Sequence, residues 1–90
     1  MPYVDRETRV RLDEGSPPEN PGELNYLVTR IVDSYLKTKG RIRYSHINEA
    51  VGVLECAKLE LYRRIAAPYE DVKMNETGDV YQSTDGSKGA

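Results

Sequence analysis

The sequence predicts an all-α fold, an antiparallel helical hairpin with helices at about 21–39 and 46–66, and three observations lead there. Apolar residues recur at three- and four-residue steps in two separate stretches, which places each set on one face of a helix. Start and stop signals bracket both stretches. The connector Arg41 to Tyr44 alternates basic and apolar residues but is too short to pair as a strand.

The chain opens with about twenty residues of mixed charge. Asp5 to Leu12 fits a short helix with Val4, Thr8 and Leu12 on one side, marginal alone in water, so this stretch reads as a docked or frayed arm. Gly15-Ser16-Pro17-Pro18-Glu19-Asn20-Pro21-Gly22 holds three prolines and two glycines in eight positions, which forbids a regular element.

Asn20 then stands as an N-cap, with Pro21 at the first helical position and Glu23 placed to reach back as in a capping box. Leu24, Leu27, Val28, Ile31, Tyr35 and Leu36 share the apolar face of this helix. Lys37 and Lys39 suit its negative end, and Gly40 stops it. Ser45 is expected to cap the second helix, whose stripe is Ile47, Ala50, Val51, Leu54, Ala57, Leu61 and Ile65. Val53, Leu59 and Tyr62 widen it. Pro68 disfavours helical geometry at Ala67, so this helix is expected to end near Ala66. An irregular acidic tail should follow, with a turn at 75–79, an anchor at Val80-Tyr81 and a disordered end from Ser83. The expected organisation is an arm and linker at 1–20, a hairpin core at 21–67 and a tail at 68–90.

Ninety residues make one domain at most, and the composition leaves its core thin. The chain has seven Tyr but no Trp or Phe, and the single Cys56 cannot form an internal disulfide. Apolar residues on more than one side of the second helix exceed what one neighbour covers. We therefore expect a homo-oligomer, most simply a symmetric dimer.

Charge and hydropathy exclude several classes. No stretch approaches the length of an apolar membrane span, and Met1 to Val10 lacks the apolar core of a secretory signal, so a soluble cytoplasmic protein is expected. The formal charge of −2 argues against generic DNA binding. That average conceals −2 over residues 1–22, +3 over 23–66 and −3 over 67–90.

Catalytic chemistry is poorly supplied. His46, the one histidine, sits in the first turn of the second helix without a nucleophile or acid at hand, so a surface or capping role outweighs catalysis. Cys56 reads as core filling, and Gly52 as a point of close helix approach. Glu49, Glu55 and Glu60 do not stack on one helix face, and the tail carboxylates lack the alternation of a calcium loop. No metal site, cofactor or enzymatic activity is expected.

Two clusters suit binding. At the hairpin tip, Lys39, Arg41, Arg43 and Tyr44, with Lys37, Tyr35 and Ile42 beside them, interleave cations and aromatics that can hold a phosphate and stack a base. The plain alternative is a solvated loop. At the opposite end an antiparallel hairpin would bring Asn25, Tyr26, Thr29 and Arg30 beside Tyr62, Arg63, Arg64 and Tyr69. That set suits an anionic or planar ligand, such as a nucleotide, more than turnover. An internal network of these arginines with Glu70 and Asp71 is the competing reading.

Gly22-Glu23-Leu24-Asn25-Tyr26, the run from His46 to Arg64 (HINEAVGVLECAKLELYRR), Ala67-Pro68-Tyr69-Glu70-Asp71 and Gly78-Asp79-Val80-Tyr81 resemble a functionally uncharacterised family of small proteins encoded by tailed bacteriophages and prophages. The resemblance covers about residues 22–81 and carries no catalytic residue. It implies a setting, the cytoplasm of an infected bacterium, and a non-enzymatic accessory protein that binds and inhibits or sequesters a host component, protein or nucleotide, in the manner of an anti-defence factor. A structural or assembly part of the phage particle is the alternative.

Overall fold

The structure is a computed structural model that describes residues 1–83. It is helical, with α1 at Arg6–Asp13, α2 at Pro21–Lys37, α3 at Tyr44–Leu61, a π turn at Tyr62–Ala66 and α4 at Ala67–Thr77, and no strand among the described residues. The chain divides into two compact units, Met1–Val51 and Gly52–Ala90, a division that runs through α3. The end expected to be disordered lies, apart from Ser83, outside the described residues.

The opening arm is a properly capped helix. Asp5 is extended, and its carboxylate accepts the Thr8 N–H at 2.9 Å. At the other end Gly15 (φ +108°) donates its N–H to Leu12 O at 3.0 Å, and Ser16 donates to Arg11 O at 3.2 Å. These two bonds form a Schellman motif, which needs the left-handed backbone that glycine adopts without a Cβ penalty. Leu12 is only 3% exposed, so α1 is docked rather than frayed.

α2 starts where the sequence places it. Asn20 Oδ1 accepts the Glu23 N–H at 2.9 Å, and Pro21 opens the helix. The return half of the capping box is displaced by one residue, because Glu23 Oε1 accepts the N–H of Glu19, not of Asn20, at 3.0 Å. The same oxygen accepts from Arg11 Nη2 at 2.8 Å, which ties α1 to α2.

The buried face of α2 differs from its apolar stripe. Glu23 and Tyr26 are 7% and 6% exposed, whereas Leu24 and Ile31 stand largely in water. In this unit the helices packed on each other are α1 and α2, where the sequence had suggested α2 and α3. Arg11 and Asp13 of α1 offer charged partners to Glu23 and Tyr26, so the polar tips can be buried without an unmet hydrogen bond. A hydrogen bond from Tyr35 Oη to Glu49 Oε1 at 3.0 Å ties α2 to the start of α3.

The second helical stretch departs from expectation at both ends. α3 begins at Tyr44, which leaves Arg43 at the cap position, and His46 in the first turn reaches back so that its Nδ1 accepts the Arg43 N–H at 3.0 Å. Ser45 is therefore not the cap. Pro68 does not end the helix either. Ala67 donates its N–H five residues back, to Tyr62 O, and the π turn this creates lets the chain pass the missing N–H of Pro68 into α4. The acidic segment expected to be irregular is thus helical to Thr77, and Gly78 (φ +89°) ends it by donating to Met74 O at 2.8 Å.

Candidate functional site

The residues of the expected end cluster fall in two units, and each group has its own surroundings. In the first, Tyr26 belongs to the core, a correction to its reading as a surface ligand contact. Its hydroxyl donates to Asp13 Oδ1 at 2.8 Å, and the Arg9 guanidinium lies 5.9 Å from its ring centre. Burial, and then the bond to Asp13, pushes its pKa up. Asn25, Thr29 and Arg30 are exposed, with Thr29 Oγ1 donating to Asn25 Oδ1 at 3.1 Å. Beneath them, Arg11 holds the Glu23 carboxyl below its usual range, helped by the Glu19 N–H.

In the second unit, Tyr62 donates to Glu70 Oε1 at 2.9 Å across the π turn, and this bond is the leading cause of its raised pKa. Arg63 and Arg64 both reach Glu60, at 3.1 and 3.6 Å, and Lys73 lies 5.7 Å from the Tyr69 ring centre. These arginines are held by their own helix, one turn back, instead of converging with the tail carboxylates. An open groove of about 410 Å³ is lined by Tyr62, Glu70, Asp71, Met74, Asp79 and Tyr81, among others. Its carboxylates give it the wrong sign for an anion. Met74 and Asp79 were missed as site residues, and the signal that could have found the groove was Val80-Tyr81, an aromatic anchor just past a glycine.

The basic tip is the cluster whose surroundings keep the predicted sign. Lys39 Nζ lies 4.4 Å from the Tyr35 ring centre, and Tyr35 is itself held by Glu49. This chain orders the end of α2 against the start of α3. Arg41, Arg43 and Tyr44 are exposed beside it, and Tyr44 is 80% exposed. Two guanidinium groups and a bare ring next to an ordered aromatic can take a phosphate and a planar group.

The two residues read for reactivity settle differently. His46 lies in the first turn of α3, where its Nδ1 already accepts the Arg43 N–H. Cys56 is exposed, against the expectation that it fills a core. Gly52 has nothing within 4 Å of where a Cβ would stand, so no close approach among the described residues explains it. No helix among the described residues is long and apolar enough to cross a membrane.

A family model matches residues 1–80, and the chain belongs to that family, a domain of unknown function (DUF6899). The match includes α1, in keeping with its place against α2. No curated protein and no solved structure matches the chain.

Proposed function

We propose that this chain is a non-enzymatic accessory protein that acts by binding, with a component of a phage-infected bacterial cytoplasm as its target. One observation carries the reading: no described residue of the second unit is buried, although it holds Val53, Leu54, Leu59, Leu61, Ile65 and Val72. A helix with that surface draws its stability from a partner, because isolated helices are marginal in water and apolar faces seek cover. The phage setting rests on the sequence resemblance alone.

For a small anionic ligand such as a nucleotide, the basic tip is the better site. Calorimetric titration with a panel of cyclic and linear nucleotides tests this on the wild type, Arg41→Ala with Arg43→Ala, Arg30→Ala and Arg63→Ala. Heat that disappears only in the tip variant supports it. Silence across the panel ends the nucleotide version and leaves a protein target. His46→Ala should change none of these titrations. The exposed apolar helix equally favours a part packed among neighbours in the phage particle; mass spectrometry of purified particles that finds this chain in stoichiometric amount would replace the host-target reading with that one.

A further inference from the structure

We infer that the second unit is completed by the same unit of a second copy, the two helices pairing antiparallel about a two-fold axis near Arg63. This rests on the same bare helix that carries the proposed function but names a second copy as its occupant, so a single-chain mass would end this inference and leave that reading standing.

The argument begins with spacing. The apolar positions Leu54, Ala57, Leu61, Ile65, Tyr69 and Val72 are separated by 3, 4, 4, 4 and 3 residues. That series reads the same in both directions. An antiparallel two-fold pair requires this symmetry, because every contact it makes is made again with the two chains exchanged. Ala57 then faces the copy's Tyr69 and Leu61 faces Ile65, with Leu54 and Val72 flanking that seam at its two ends. Large meets small at Ala57 and Tyr69, as interdigitated packing requires. A parallel pair in register would set ring against ring and methyl against methyl, crowding one level and leaving a gap at the other.

The π turn supports the same stripe. Each four-residue step on an ideal α-helix overshoots a full turn by about 40°, so three in succession would carry the stripe about 120° around the cylinder. The π turn at Tyr62–Ala66 lies within those steps and takes up one extra residue, worth about 100°. Ala57, Leu61, Ile65 and Tyr69 are thereby returned close to one line, which a straight partner can cover.

Area and charge fit this occupant. Leu61, Ile65 and Tyr69 are each more than 60% exposed, and Leu54 and Val72 are about half exposed. With Ala57 they leave about 600 Å² in water, most of the roughly 800 Å² that each partner brings to a standard specific interface. Residues 52–77 carry five acids and four bases, and Glu55 with Lys58, Glu60 with Arg63 and Arg64, and Glu76 with Lys73 are already paired within the chain. A nearly neutral surface of this kind does not repel its own copy.

The test is the mass and the orientation of the assembly. Sedimentation equilibrium of the full chain at micromolar concentration should give twice 10.2 kDa. Ile65→Glu should raise the dimer dissociation constant on the order of a hundredfold or more, since two isoleucines and two charges are affected. Its first unit should melt as in the wild type, which shows that the variant has not simply unfolded. In a Cys56→Ser background, Leu61→Cys chains mixed with Ile65→Cys chains should cross-link on oxidation, whereas Ala57→Cys chains alone should not. A single-chain mass for the wild type, an Ile65→Glu dimer of unchanged affinity, or efficient cross-linking of Ala57→Cys to itself would overturn the proposal.

Discussion

The first unit keeps Leu12, Glu23, Tyr26 and Ala50 out of water, while the second, which holds Leu54, Leu59, Leu61, Ile65 and Val72, buries none of its described residues. The contrast lies in what each helix is offered. α2 receives α1, which brings one leucine together with a guanidinium and a carboxylate placed for the polar tips of Glu23 and Tyr26. The helical run from Gly52 to Thr77 receives nothing comparable among the described residues of its unit. Few but well-partnered contacts can close a small unit, whereas an abundance of leucine and isoleucine without a neighbour cannot.

Substitutions that widen or narrow this difference follow in order of size. Leu12→Ala should cost the first unit about 2–5 kcal/mol, the range for emptying a buried leucine position, and thermal melting followed by amide exchange over residues 21–37 will show it. Pro68→Ala restores an N–H and should add up to about 3 kcal/mol of helix stability to the second unit, measured by circular dichroism. It should weaken self-association at the same time, because without the π turn Tyr69 rotates away from the line of Ala57 and Leu61. Asn20→Ala removes the cap of α2 and should cost about 1 kcal/mol, again in the first unit only. Gly52→Ala meets open space and should stabilise the second unit by about 0.8–1 kcal/mol.

The smallest effect is a pH dependence confined to the first unit. Glu23 and Asp5 both have carboxyls held below their ordinary range, Glu23 chiefly by Arg11 and Asp5 chiefly by the Thr8 N–H. A lowered folded pKa gives stability that is present above the unfolded value, near 4, and is lost as pH falls through the folded value. Melting temperature should therefore decline below about pH 4, and Arg11→Gln should flatten the Glu23 part of that decline.

Much of the helical content could be read in advance, because caps and breakers act locally. Asn20, Pro21 and Glu23 mark the start of α2 within a few residues of chain, and the structure has that start in place. Failures occurred where a distant or compensating group decides. Nothing near Arg11 reveals that it will neutralise Glu23, twelve residues on, so the buried face of α2 was assigned to its leucines. Pro68 was read as a terminator because the missing N–H is a local signal, whereas the π turn that compensates for it is spread over Tyr62–Ala66, upstream of the proline. Of the candidate sites, the basic tip was legible from composition alone, whereas the groove beside Tyr62 depends on α4, which had been read as irregular.

The ties of Glu23 and Tyr26 to α1 span only 12 and 13 residues of chain. Contacts that local give a low contact order, and units of this kind fold in microseconds to milliseconds. Formation of the first unit is a unimolecular event independent of concentration, so it should stay ordered at dilutions where any pairing of the stretch from Leu54 to Val72 is lost.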